Sequence, residues 1–113
     1  MVDENLQKNT VTLFRLTQSL AQKKIREAAT NSDNVIFGDH ALERMDERGI
    51  YDFFVLEILR TGVIDGNPEI TTEQEWKCKM IKKIRGAREA GVVTIILHNG
   101  KLFIKTVEWE DMR

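Results

Sequence analysis

The spacing of apolar residues changes about halfway along this 113-residue chain, near Gly62. Before Gly62, apolar residues recur at helical spacing in segments 10–29 and 52–61. After it, residues 76–80 alternate between apolar and polar, and residues 91–97 are apolar on both faces, which is typical of strands. Because helices precede strands, we predict an α+β fold with N-terminal helices packed on one face of a C-terminal antiparallel sheet of about three to four strands.

The composition is that of a globular protein, with 42% hydrophobic and 31% charged residues. We expect one domain at residues 10–113 after a frayed segment 1–9. The net charge of −1 excludes a general attraction to nucleic acid or membrane, so such binding requires a local patch. A polar N-terminus, no long apolar run and a single cysteine predict no signal peptide, no membrane span and a cytoplasmic location. No metal-ligand or phosphate-loop spacing occurs, so we expect no cofactor and no metal.

The Asn99-Gly100 pair indicates a hairpin with a two-residue type I′ loop. In the resulting register, Ile96 faces Phe103 and Thr94 faces Lys105. One face of the hairpin is then apolar and lies under the helices; it holds Val93, Ile95, Leu97, Leu102 and Ile104. The opposite, open face holds Thr94, Ile96, Phe103, Lys105, Val107 and Trp109.

The preceding strand adds basic residues to this open face. We expect Trp76, Cys78 and Met80 to point into the core. The residues expected to point outward are Lys77, Lys79, Ile81, Lys83 and Arg85. Lysines interleaved with aromatic rings suit single-stranded RNA, and the predicted RNA-binding residues are Arg48, Lys77, Lys83, Arg85, Arg88, Phe103 and Trp109. The alternative is a solvated lysine face that protects a sheet edge.

A short helix before Gly49 carries a second basic feature, and Asp39 is its expected N-cap. His40, Arg44 and Arg48 follow one another at intervals of four, which puts them on one edge of the helix. Such a stripe can meet an anion in a cleft. Alternatively, the arginine stems cover apolar surface and pair with acidic neighbours.

These residues match the needs of RNA cleavage without a metal, which requires a base, a cation and an acid. A lysine can act as the base when its pKa falls well below about 10, which a cluster of lysines favours. Lys79 and Lys105 are therefore the candidate bases. Arg44 and Arg85 are candidate phosphate clamps, and His40 is the candidate acid because histidine exchanges protons near neutral pH.

The segment FGDHALERMDERGI at 37–50 resembles the H-A-x-x-R-M-x-x-R-G-I signature of the domain of unknown function 4258 family, over about residues 35–107. The order of elements is also similar to that of RelE-like toxins of the MqsR type, which cleave messenger RNA. The resemblance implies a RelE-like ribonuclease toxin with an antitoxin partner. It carries over His40, Arg44 and Arg48 as motif residues, and Lys105 as a basic residue of the last strand. The chain departs from this pattern in two ways. Its net charge is slightly negative, whereas such toxins are basic, and it has Tyr51 at the position where the family has a helix-capping Ser or Thr.

The predicted function is thus a metal-independent endoribonuclease that acts on single-stranded messenger RNA, as the toxin of a toxin–antitoxin pair. Two alternatives remain open. One is a non-catalytic protein-interaction module, with Ile96, Phe103, Val107 and Trp109 as its interface. The other is an RNA-binding domain without cleavage, whose affinity would fall steeply with salt.

Overall fold

The computed structural model of the protein describes residues 15–112. The described chain has three α-helices, all before residue 62: α1 at Gln18–Ala29, α2 at Asp39–Arg48 and α3 at Asp52–Thr61. The strands are β1 Val35–Phe37, β2 Val63–Ile64, β3 Glu69–Ile70, β4 Trp76–Arg85, β5 Arg88–Ile96 and β6 Leu102–Trp109. Two short 3₁₀ helices, Ser32–Asn34 and Glu110–Met112, complete the described chain. No helix within residues 15–112 is long and apolar enough to cross a membrane.

The strands form one sheet with the order β1-β6-β5-β4-β2, and β3 pairs with another part of β4. The α+β class with helices before the main strands is confirmed. The sheet has six strands, more than the three to four expected, because β1 and β3 are too short to show alternation. It is also mixed, since β1 runs parallel to β6.

The first helix begins later than expected. It starts at Gln18, where the Thr17 side chain accepts a hydrogen bond from the Leu20 amide at 3.1 Å. Residues 15–17 precede the helix. The prediction of a helix over residues 10–29 is therefore wrong at residues 15–17. The rest of that prediction, at residues 10–14, and the frayed segment 1–9 lie outside the described residues.

Helix α2 has Gly38 as its N-cap rather than Asp39, and no side chain caps it. The Gly38 amide bonds the Ile104 carbonyl at 3.1 Å, and a Cβ at this position would lie 2.6 Å from Cζ of Phe103. Close approach to β6 therefore requires glycine here. At the other end Gly49 adopts φ 66° and terminates α2 as predicted.

The helices α1 and α3 are joined through their C-terminal ends. Arg26 of α1 donates to the carbonyls of Thr61 and Gly62, and Arg60 of α3 donates to the Ala29 carbonyl at 2.7 Å. Each arginine thus satisfies terminal carbonyls of the other helix, which have no intrahelical partner.

The hairpin between β5 and β6 has a three-residue loop, so the predicted two-residue type I′ loop is wrong. Leu97 bonds Lys101 across the loop at 2.9 Å, and Gly100 alone in the loop has a positive φ, of 87°. The Asn99 side chain accepts a hydrogen bond from the Lys101 amide at 2.9 Å. This local bond supports the longer turn.

The extra loop residue shifts the register by one, so that Ile96 faces Leu102 and Thr94 faces Ile104. A one-residue shift moves each side chain of β5 to the other face. Thr94 is fully buried instead of open, whereas Val93, Ile95 and Leu97 lie half-buried on the face without helices.

A bulge in β6 changes the faces a second time. The pairing skips Lys105 between Ile104 and Thr106. Beyond this bulge Val107 and Trp109 turn toward the helices and are buried, so their predicted place on the open face is wrong. Phe103 and Lys105 keep the predicted side, opposite to the buried Leu102 and Ile104.

Candidate functional site

Helix α2 lies along the outer edge of β6. Strand β1 pairs only with Leu102, Phe103 and Ile104, and the chain then continues directly into α2. At the far end of the helix, the Arg48 guanidinium donates to the Val107 carbonyl at 2.6 Å. The Trp109 indole donates to the Arg48 carbonyl at 2.7 Å. Both ends of α2 are therefore fastened to the same strand.

This attachment orients the predicted basic stripe. Arg48 reaches the strand at Val107, and four helical residues advance about 6 Å, as do two strand residues. Arg44 therefore lies about level with Lys105, and His40 lies one further turn back. His40 and Lys105 are exposed, and Arg44 is partly exposed. We call His40, Arg44 and Lys105 the β6-edge site.

The electrostatic surroundings of this site leave its cations open to a ligand. Arg44 pairs with Glu47 at 2.8 Å, in a helical pair whose acidic partner is largely exposed. Such pairs contribute only about 0.3–0.5 kcal/mol, so a phosphate can replace the carboxylate at low cost. Neither His40 nor Lys105 has a carboxylate within ion-pair distance among residues 15–112.

Four of the predicted RNA-binding residues also come together, at the end of α2. In this arginine corner, formed by Arg48, Arg85, Arg88 and Trp109, the Arg88 guanidinium lies 4.1 Å from the indole centroid. Arg85 lies 5.7 Å from the same ring, because a register shift after Lys83 turns it toward the helices. The predicted outward direction of Arg85 on the open face is therefore wrong.

Much of the hydrogen-bonding capacity of this corner is already used. Arg88 donates two hydrogen bonds to Asp111, at 3.0 and 3.1 Å, and these bonds lower the pKa of that carboxyl. The Arg48 guanidinium holds β6. The corner therefore supports the end of α2 and leaves Arg85 as its most exposed cation.

Lys79 lies in a different environment. On the open face of the sheet its ammonium group is 2.7 Å from Glu108, 2.9 Å from Glu110 and 3.9 Å from Asp65. We call these four residues the lysine–carboxylate cluster. Gly91 gives it room, since a Cβ there would lie 2.5 Å from Glu110 and 2.7 Å from the lysine stem.

The cluster determines the protonation of Lys79. Burial lowers the pKa of Lys79, but hydrogen bonds and attraction from Glu108 and Glu110 outweigh burial, and the net shift is upward. The expectation of a lowered pKa is therefore wrong for Lys79. A raised pKa opposes service as a general base at neutral pH.

Two further lysines of β4 are also paired with carboxylates. Lys77 lies 3.4 Å from Glu69 of β3, and Lys82 lies 2.9 Å from Glu57 of α3. Lys83 and Arg85 are exposed and are the two members of the predicted set on β4 without a carboxylate pair in the described chain. Acidic residues from neighbouring elements thus cancel most of the positive charge of segment 77–88.

Two further residues bear on the chemistry. Phe103 covers Gly38 at the start of α2, which places its ring near the β6-edge site. Cys78 points inward as predicted, is 3% exposed, and burial raises its pKa to about 12. No group of three or more His, Cys, Asp and Glu side chains within residues 15–112 is arranged to hold a metal ion.

Sequence reasoning missed the carboxylates around Lys79 and the exposed rings of Tyr51 and Phe53. The signal for Glu108 was its place on the returning strand, which becomes informative only with the correct register. The signal for the rings was the YDFF run at the start of α3, where an apolar stripe is wider than one buried face.

Comparison with known proteins gives one result. The family model described as "Domain of unknown function (DUF4258)" matches residues 37–109, which spans α2 through β6. No curated protein and no solved structure matches the chain at a significant level.

Proposed function

The chain belongs to the DUF4258 family, and we propose that it is a metal-independent endoribonuclease whose centre is the β6-edge site. What supports this proposal is that His40, Arg44 and Lys105 are all at least partly exposed, on two elements, α2 and β6, that are fastened to each other at Gly38 and at Arg48. A histidine and two cations supply the roles that RNA cleavage needs.

In the proposed step the predicted roles of His40 and Lys105 are exchanged, because a lysine side chain ordinarily holds its proton at neutral pH. The His40 imidazole takes the proton of a ribose 2′-hydroxyl. The 2′-oxygen attacks the adjacent phosphorus, and the bond from phosphorus to the 5′-oxygen breaks. Arg44 balances the charge on the non-bridging oxygens, and the Lys105 ammonium gives a proton to the leaving oxygen. The products are a 2′,3′-cyclic phosphate and a 5′-hydroxyl. Lys79 has no role in this step, because its ammonium group is bound to Glu108 and Glu110.

The substrate we propose is single-stranded messenger RNA in the cytoplasm, held near Phe103 by stacking and near Arg85 by its phosphates. As a member of a toxin–antitoxin pair, the enzyme has an antitoxin that blocks its active site until cleavage is required. The net charge of −1 is compatible with this, since only the β6 edge has to meet phosphate.

The test is incubation of the purified protein with a labelled single-stranded RNA in the presence of EDTA. We expect cleavage that ends in a cyclic phosphate, and no cleavage of DNA of the same sequence. His40→Gln lowers the rate by about 10²–10⁴-fold, the usual contribution of a general base. Lys105→Ala lowers it as well, because the leaving oxygen loses its proton donor.

Matched controls distinguish this centre from a general loss of charge. His98→Gln changes the other histidine, which is exposed in the hairpin loop, and Lys24→Ala changes an exposed lysine of α1 that has no role in the proposed site. Both variants keep the wild-type rate, and so does Lys79→Met. RNA that stays intact with wild-type protein of confirmed single-chain mass would contradict the proposal. RNA that is bound but intact would favour the alternative of an RNA-binding domain.

A further inference from the structure

An apolar groove lies on the side of α2 away from the basic stripe. It has a volume of about 430 Å³ and is lined by residues of the α2–α3 junction, among them Leu42, Asp46, Tyr51 and Asp52. Leu42 is 49% exposed, Tyr51 54% and Phe53 58%. We call this region, with Phe53 at its margin, the aromatic groove. Contiguous exposed side chains of this size are typical of interaction sites.

The rings of this groove are held in place before any ligand arrives. Tyr51 stacks on Phe53 with centroids 5.6 Å apart, and Phe53 meets Phe54 at 4.5 Å. The Arg85 guanidinium lies 5.6 Å from the Phe54 ring. A surface that is already ordered loses little conformational entropy on binding, which favours affinity.

The charge of the groove selects its partner. Asp46 and Asp52 line it, and the exposed Glu43 lies one turn before Asp46 on α2. Carboxylates repel the phosphates of RNA and attract lysine or arginine side chains. The groove therefore fits a ligand that is apolar in the middle and basic at its margins.

The shape of the groove further limits the kind of ligand that can bind it. Its walls are the end of α2 and the start of α3, and none of its lining residues belongs to a strand, so it offers no free strand edge to an extended peptide. Recognition then depends on side-chain anchors, as in helix-in-groove binding. We propose that the aromatic groove docks an amphipathic helix of a partner protein, with leucine-type anchors flanked by lysine or arginine.

This proposal does not depend on RNA cleavage. On α2, Leu42 and Asp46 are separated from Arg44 by about half a turn, so the aromatic groove and the β6-edge site face different ways. A partner helix in the groove leaves the β6 edge open. Loss of one function by mutation can therefore be separated from loss of the other.

The probe is a synthetic fluorescent 14-residue helix of leucine and lysine with one apolar stripe, compared with its leucine–glutamate counterpart. The key variant is Phe53→Ser. Its matched control is Ile70→Ser, because Ile70 on β3 is also 58% exposed and lies outside the groove. Fluorescence anisotropy measures binding, and circular dichroism checks that each variant is folded.

We expect the leucine–lysine helix to bind wild-type protein, with affinity at least tenfold lower for Phe53→Ser and unchanged for Ile70→Ser. The double variant Asp46→Asn/Asp52→Asn lowers affinity severalfold and reduces its dependence on salt. Cleavage of RNA by Phe53→Ser, if the wild type cleaves RNA, stays at the wild-type rate.

Four results would overturn the proposal. The first is equal binding of the leucine–glutamate helix, and the second is equal binding of the leucine–lysine helix by Phe53→Ser. The third is competition by an RNA oligonucleotide for the same site. The fourth is a dimer in sedimentation equilibrium that Phe53→Ser abolishes, because the occupant would then be a second copy of this chain.

Discussion

Two basic regions of this protein look alike in the sequence and differ in the fold. On β4, Lys77, Lys79 and Lys82 each lie within 3.4 Å of a carboxylate from another element. Along α2 and β6, His40 and Lys105 are exposed without such a carboxylate in the described chain. The first region uses its charge to hold the sheet together, and the second presents it to solvent.

The difference shows what a count of charges along a strand omits. Segment 77–88 carries six basic residues and no acidic one. Its partners come from β3, α3 and the segment after β6, up to about thirty residues away in the chain, as with Lys79 and Glu110. A local excess of charge therefore becomes a binding surface only where the fold brings no opposite charge to it. The following predictions test this contrast, from the largest expected effect to the smallest.

Trp109→Ala should destabilise the protein most, by about 3–5 kcal/mol in the free energy of unfolding. Trp109 is 2% exposed, and its indole is both the donor to the Arg48 carbonyl and the surface under Arg88. Trp109→Phe keeps most of the volume and loses the hydrogen bond, with a smaller loss of about 1–2 kcal/mol. Urea denaturation measures both. A minor effect of the alanine variant would mean that α2 is not held to β6 through this residue.

Lys79→Met should lower the free energy of unfolding by about 1–3 kcal/mol, because it leaves the carboxylates of Glu108 and Glu110 without their ammonium partner. The Glu110 side chain is only 9% exposed, which makes the loss of a nearby positive charge costly there. Lys83→Met, on the same strand but exposed, is the control and should change stability by less than about 0.5 kcal/mol. Equal effects of the two variants would remove the contrast between paired and free lysines.

Alkaline pH should weaken the fold in two stages. Burial raises the pKa of Cys78 from 9.0 to about 12, and the carboxylates raise that of Lys79 above 10.5 against the opposing effect of burial. Each group stabilises the folded state below its unfolded pKa, and this contribution is lost as pH rises through the folded pKa. Each proton adds a slope of at most about 1.4 kcal/mol per pH unit.

Urea titrations from pH 8 to about 12 measure this dependence. Cys78→Ala should remove the decline that begins near pH 9, and Lys79→Met should remove the part above 10.5. An unchanged slope in both variants would show that neither group holds a proton on folding.

Arg44→Ala should have the smallest effect, a change of less than about 0.5 kcal/mol in the free energy of unfolding, because its pair with Glu47 is a solvated helical pair. The same denaturation series as for Lys79→Met provides the comparison. A loss above about 1 kcal/mol would mean that Arg44 is structural like the β4 lysines.

The helices were predictable because their signals are local. The predicted segment 52–61 coincides with α3 at Asp52–Thr61, and Gly49 ends α2 as expected. The spacing of His40, Arg44 and Arg48 also follows from the sequence. The surroundings of the stripe do not follow from the sequence. They depend on the parallel pairing of β1 with β6, which places α2 along the outer edge of β6.

The strand faces were predicted less well, because side chains alternate with a period of two and one residue reverses them. A three-residue loop in place of two moved Thr94 into the core, and the bulge at Lys105 buried Trp109. Neither device has a strong signal in the apolar pattern.

The sequence by itself therefore determined the α+β class, the extents of α2 and α3, and the basic stripe on α2. Only the tertiary structure decided that Lys79 is bound by Glu108 and Glu110 while Lys105 stands free at an edge. The physical reason is the sequence separation over which each kind of interaction acts. Helical spacing, capping and turn preferences act over a few residues, whereas strand register and charge pairing join residues distant in the chain.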